Sequence, residues 1–220
     1  MEIKEPNTQD SKAIYKRGTL AIDLGNSTTV VAFQGELDQK ATLLELPPIT
    51  KLPGEIPSLV WHSPEITPSQ LFGNEVLELS ITEKNQMNII SDFKRWICSP
   101  EVSNIQESIL SPEEAGESLI HAIWQKLPEN LQVNRLVLTA PVETYREYRS
   151  WLLEVCSNLK VDEIALVDEP TAAAMGAGLP PGTKLLVVDI GGSTIDMSIV
   201  ALEGGEGKAE PIAQLLRFDG

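Results

Sequence analysis

The chain has 220 residues, enough for one large domain or two small ones, with an ordinary globular balance of 42% apolar and 22% charged residues. Its formal net charge of −15 repels the phosphates of nucleic acids and anionic membranes, so neither is an expected partner. No apolar run is long enough to span a bilayer, and any anionic ligand would need local donors to hold it against the global field.

In chain order, Met1 to about Arg17 is polar and aperiodic and reads as a flexible tail, without the apolar core of a signal peptide. Thr19–Leu24 and Thr28–Phe33 read as a first β-hairpin. Ala41–Leu46 looks like a further strand ended by Pro47-Pro48, and Lys51–Pro57 is a proline and glycine loop. Short strands over Ser58–Trp61 and Gln70–Phe72 and a helix near Asn74–Ser80 follow. Turns are frequent here and periodicity is weak, so residues 41–130 are expected to form a smaller subdomain inserted into a core made of 18–40 and 131–220, with 1–17 as the tail. Ile89–Ile97 is dense in apolar and charged residues, and Lys94 and Arg95 on their own read as surface charges. Ser111-Pro112-Glu113-Glu114 is a capping box that starts a helix running to about Leu127.

Arg135–Ala140 reads as a buried strand that meets Pro141. Thr144–Glu147 is a second capping box, and its helix puts Tyr148, Trp151, Leu152 and Val155 on one core-facing side. Ile164–Val167 is the next strand, followed by Asp168-Glu169-Pro170-Thr171 opening an alanine-rich helix that ends near Gly176–Gly178. Glu169 at a helix start is favourable for electrostatic reasons alone, but a strand end also delivers it to one edge of the sheet. Leu185–Val188 is an apolar run expected to be a strand buried on both faces, and Ile195–Val200 is its antiparallel return. Glycine turns and one more strand are expected beyond Leu202. The alternation of strands and helices from Arg135 onward gives an α/β fold, with the two hairpins expected to complete one mixed sheet. Cys98 and Cys156 lack metal-type spacing and suit a reducing compartment, and His62 and His121 are far apart with no acidic partners at triad spacing. A cytoplasmic location is expected.

The chemistry sits in the turns of the hairpins. Asp189 stands at a strand end before Gly191-Gly192-Ser193-Thr194, where glycines let backbone N–H groups converge on an anion and hydroxyls add donors. A carboxylate beside a phosphate cradle makes sense when a cation joins them, most simply hydrated Mg²⁺. The same pattern occurs earlier: Ile22-Asp23-Leu24-Gly25-Asn26-Ser27-Thr28 aligns without a gap with Val188-Asp189-Ile190-Gly191-Gly192-Ser193-Thr194. Two such hairpins could face each other across one polyphosphate, with Asp23 and Asp189 sharing a metal.

These residues resemble the first half of the ATPase domain of the heat-shock protein 70 (DnaK-type) chaperones, within the actin–hexokinase superfamily. Ile22–Thr28 is similar to the family's first phosphate motif and Val188–Asp196 to its second. Asp168–Ala174 is similar to its Asn-Glu-Pro-Thr-Ala-Ala-Ala signature, Asp92–Arg95 falls where the family has Asp-x-Lys-Arg, and Pro141 matches the proline that ends the equivalent strand. The likeness covers roughly residues 18 to 217, with the five motifs in order. Asn26-Ser27 stands where Thr-Thr is usual and Ser193 where a glycine is usual, while Ala174–Pro180 leans towards the bacterial actin-like cell-shape proteins.

The resemblance implies an α/β actin-like ATPase lobe, ribonuclease-H-like, with a mixed sheet, flanking helices and a smaller inserted subdomain. It implies Mg²⁺ and ATP or ADP as ligands, with Asp23 and Asp189 holding the metal through water and Gly25–Thr28 and Gly191–Thr194 cradling phosphates. Lys94 would orient the attacking water, and Glu169 and Asp189 would complete the catalytic set. Unfolded polypeptides and co-chaperones would be engaged by regions outside this chain, as would adenine and ribose for the most part. Hydrolysis would belong to the full-length protein rather than to this stretch alone. Two other functions stay open on the residues: an actin-like filament ATPase, and a non-catalytic nucleotide-sensing module.

Overall fold

The structure, a computed structural model, describes residues 15–79, 88–99, 110–142, 145–191 and 195–202. Strands β1 (Lys16–Asp23) and β2 (Thr28–Gly35) pair antiparallel, from Gly18 opposite Gly35 to Asp23 opposite Val30. On the far side of β1 lies β8 (Leu131–Ala140), parallel to it, and next to β8 lies β9 (Glu163–Asp168), also parallel. The outer edge of β2 takes β3 (Thr42–Leu43) along one half and β4 (Glu55–Pro57) along the other. The result is a six-stranded mixed sheet in the order β3-β2-β1-β8-β9, with β4 also on β2.

Alternation explains the layering. In β1, Leu20 and Ile22 are fully buried while Thr19, Ala21 and Asp23 are not. Val31 and Phe33 of β2 and Leu136, Leu138 and Ala140 of β8 join the same apolar core. Helix α2 (Pro112–Gln125) covers part of this core with Ala115, Leu119, Ile120 and Ile123. Its start is the expected capping box: Ser111 Oγ accepts from the Glu114 amide at 3.1 Å, and Glu114 Oε2 accepts from the Ser111 amide at 2.7 Å. Helix α3 (Tyr145–Cys156) follows β8 and buries Tyr148, Leu152, Val155 and Cys156. Burial pushes the Cys156 thiol up to about 12, so it stays protonated in the core.

A small antiparallel sheet stands apart, with β5 (Val60–His62) between β6 (Gln70–Phe72) and β7 (Ile89–Ile90). Helix α1 (Asn74–Glu78) follows β6, and a 3₁₀ turn, Phe93–Trp96, follows β7. Asp92, in front of that turn, adopts a left-handed conformation at φ 53°. This bend anchors Phe93 and Ile97 in the main core and turns the intervening Lys94 the other way.

Helix α4 (Glu169–Gly176) begins where β9 ends, with the Asp168 side chain accepting from the Thr171 amide at 2.9 Å. Strands β10 (Lys184–Ile190) and β11 (Ile195–Ala201) then form the second hairpin. Here the structure departs from expectation. The second hairpin does not extend the main sheet; among the described residues it is a separate two-stranded sheet. Nor is β10 buried on both faces. Leu186, Val188 and Ile190 line up opposite Ile199, Met197 and Ile195, and Ile190 is 74% exposed. The other face meets α4 and buries Val200. The apolar run signals a strand with apolar side chains on both faces, but among the described residues only one face is covered. The expected Thr144 capping box and the strand beyond Leu202 fall outside the described residues.

Candidate phosphate clamp and catalytic cleft

The first phosphate turn is braced from behind. Ser58, fully buried after β4, donates its hydroxyl to the Gly25 carbonyl at 2.7 Å and its amide to the Ser27 carbonyl at 2.9 Å. Its Oγ also lies 2.9 Å from the buried Thr29 Oγ1. Across a trans peptide the N–H points opposite to the C=O, so holding the Gly25 carbonyl towards Ser58 aims the Asn26 N–H outward. Gly25 is required for packing reasons, since a Cβ there would collide with the Thr28 carbonyl oxygen. Asn26 uses its side-chain oxygen to accept from the Arg95 amide at 3.0 Å, which ties the turn to the segment carrying Lys94. Ser27 and Thr28 are exposed at the tip. A pocket of about 320 Å³ opens on their outer side, with Lys51 and Asp92 also on its wall; it borders the turn but not Lys94, Glu169 or Asp189.

Ser58 was not legible as a site residue, and it gives a direct test. Ser58→Ala leaves the Gly25 carbonyl and the Thr29 hydroxyl without their partner, at a cost of about 2 kcal/mol for buried polar groups left unpaired. Denaturant melts should show that loss, whereas Ser27→Ala at the exposed tip should change stability by less than about 0.5 kcal/mol.

Two segments far apart in the chain meet at Glu169. Lys94 of the 3₁₀ turn pairs with Glu169 of α4, Nζ to Oε1 at 2.6 Å, with side chains only 12% and 23% exposed. Burial pushes the Glu169 carboxyl above its ordinary range; Lys94 pulls it back by charge and hydrogen bond, and the negative charges of Asp23 and Asp189 push it up again. Asp23 stands at the end of β1 and Asp189 in β10. Asp23 Oδ1 accepts from Thr139 Oγ1 of β8 at 2.5 Å. Thr139 is a second residue that sequence alone did not single out, and the parallel pairing of β1 with β8 is what brings it there. Asp196 stands directly opposite Asp189 in the hairpin register.

Gly191 is exposed at the end of β10; Gly192, Ser193 and Thr194 fall outside the described residues. Carboxylate oxygens such as those of Asp23 and Asp189 are donors of the kind a hard cation takes. Among the described residues no group of three or more His, Cys, Asp or Glu side chains is placed to hold a metal ion.

A family model described as MreB/Mbl protein matches residues 101–206. Chaperone protein DnaK of Ureaplasma parvum serovar 3 is 28% identical over 196 residues, covering 84% of this chain and 30% of the relative. Chaperone protein DnaK of Thermosipho melanesiensis is 28% identical over 203 residues, covering 90% of this chain and 32% of the relative. Heat shock 70 kDa protein 13 of Mus musculus is 29% identical over 163 residues, covering 60% of this chain and 34% of the relative. The chain thus spans 30–34% of the length of these curated relatives. No helix among the described residues is long and apolar enough to cross a membrane. The mixed parallel and antiparallel sheet with flanking helices is an α/β architecture consistent with an actin-like ATPase lobe, the class to which the DnaK and MreB/Mbl similarities point.

Proposed function

We propose that this chain is the phosphate-clamping lobe of a cytoplasmic, heat-shock protein 70-like chaperone ATPase, which holds Mg-ATP between the turns of the first and second hairpins. The observation that carries the reading is the Lys94–Glu169 ion pair, which ties the 3₁₀ turn to the start of α4, with the charges of Asp23 and Asp189 acting on the same carboxyl. An ion pair and two further carboxylates, gathered at strand and helix ends, suit phosphoryl transfer, where positioning and charge neutralisation do most of the work. Asp23 and Asp189 would hold Mg²⁺ through water, and the metal, when bound, would neutralise phosphate charge. The backbone amides at Gly25–Thr28 and Gly191–Thr194 would receive the phosphate oxygens. Lys94 would leave Glu169 to orient the attacking water, and Glu169 would order the surrounding water shell.

Hydrolysis, peptide release and co-chaperone contact are proposed for a full-length protein that includes a second lobe. A second reading, a filament-forming ATPase of the bacterial cell-shape type, is favoured by the MreB/Mbl match over residues 101–206. ATP-dependent release of an unfolded peptide from the full-length protein is the expected result. Sedimentation of polymer on ATP addition, without peptide release, would replace the chaperone reading by the filament one. ATP binding with neither turnover, release nor polymer would leave a nucleotide sensor. For the 220-residue chain alone, titration with Mg-ADP should give an affinity weaker than micromolar, because the adenine contacts are assigned to the second lobe; micromolar or tighter binding would contradict that division.

A further inference from the structure

The segment that carries Lys94 is short and framed by unfavourable backbone. Asp92 at φ 53° and Cys98 at φ 59° are the non-glycine residues of positive φ among the described residues, and such residues persist where their surroundings hold them. Phe93 and Ile97 hold this segment from below, each 2% exposed in the main core. At the far end the Cys98 amide donates to Glu113 Oε1 at 2.7 Å. What remains is the start of the 3₁₀ turn, whose first N–H groups have no partner within the turn itself.

Asp92, in front of the turn, is left-handed rather than extended, and a cap comes from elsewhere in the chain. Asn26 Oδ1 accepts from the Arg95 amide at 3.0 Å, across 69 positions. That amide belongs to the peptide plane joining Lys94 to Arg95. The carbonyl of the same plane accepts from the Ile97 amide at 3.2 Å, so the plane beside the Lys94 Cα is held on both edges. On the other side of the contact, the carbonyls of Gly25 and Ser27, which flank Asn26, are both fixed by Ser58. A braced turn thus holds the Lys94 backbone, which leaves the side-chain torsions to change where its ammonium lies.

We propose that Asn26 is a positioning residue for Lys94: its side-chain oxygen caps the 3₁₀ turn and so fixes the Lys94 backbone to the first phosphate turn. The proposal rests on the role given to Lys94 in the ATPase reading and adds to it. The side chain of Asn26 then serves Lys94, while its backbone amide remains the group offered to phosphate.

The test uses the full-length protein. Without nucleotide or metal, exchange of the Arg95 amide with solvent deuterium should be about tenfold faster in Asn26→Ala, the scale of one lost hydrogen bond. Asn26→Asp keeps an acceptor oxygen in place and should exchange near the parent rate. An Arg95 rate that Asn26→Ala leaves unchanged, or that Asn26→Asp raises as much as Ala does, would overturn the cap. With Mg-ATP, single-turnover hydrolysis by Asn26→Ala should fall about tenfold while nucleotide affinity stays within about twofold, because the backbone amide of residue 26 is retained. In the Lys94→Ala background the same change should cost nothing further. An equal loss in both backgrounds would mean that Asn26 acts without Lys94, and a loss of affinity alone would make its side chain a phosphate contact; either result overturns the positioning role. Full turnover in Asn26→Ala beside an inactive Lys94→Ala overturns this proposal and spares the ATPase reading. Full turnover in Lys94→Ala removes the role of Lys94 and this proposal with it.

Discussion

Lys94→Ala should reduce ATP turnover of the full-length protein by a factor on the order of 10²–10³, the usual consequence of removing one group that acts at the transition state. Nucleotide affinity should change little, since the interaction lost is made chiefly during the reaction. Single-turnover hydrolysis beside an equilibrium titration separates the two quantities. The structure adds a stability signature. Without Lys94, Glu169 keeps its burial and the repulsion of Asp23 and Asp189 but loses the one influence that lowers its pKa. A carboxyl whose folded pKa lies above its unfolded value is destabilising when ionised. The penalty is absent below the unfolded value, near 4.5, and grows as pH rises towards the folded one. Melts of Lys94→Ala should therefore match the parent at acid pH and fall behind it as pH rises. Unchanged turnover would return Lys94 to the status of a structural counter-ion for Glu169.

The sequence made the strands and their chemistry readable where local signals are strong. The Ser111 capping box, the alternation of β1 and β2, and the glycine-bearing turn between them each depend on residues a few positions apart. It did not reveal the braces, because those contacts join distant segments. Ser58 reaches Gly25 across 33 positions and Thr139 reaches Asp23 across 116, and only the pairing of β4 with β2 and of β8 with β1 brings them together. The fate of Leu185–Val188 failed for a different reason. Hydrophobicity reports that a strand wants two covered faces, not whether the covering element lies in the same stretch of chain. Asn26 adds a contact the motif did not show: its side-chain oxygen accepts from the Arg95 amide, 69 positions along the chain.

The repeated aspartate is the feature on which the clamp most depends, and its expected behaviour is non-additive. Asp23→Asn or Asp189→Asn alone should weaken Mg²⁺-dependent nucleotide binding of the full-length protein by roughly 10- to 100-fold, on the scale of disturbing one member of a metal site. The double variant should lose far less than the product of the two, because either change already breaks a site that both serve. Asn keeps an oxygen able to accept from Thr139 at Asp23, so the strand end should hold its shape while losing its charge. In metal-free melts the sign should reverse. Asp189 lies directly opposite Asp196, and both Asp23 and Asp189 repel Glu169, so neutralising either should leave the apo protein as stable as before or raise it by up to about 0.5 kcal/mol. Turn caps acting independently would give the opposite record: losses of stability that add, that appear without metal, and that Mg²⁺ concentration does not alter. That outcome would remove the shared-metal clamp and leave the two hairpins as similar turns with unrelated tasks.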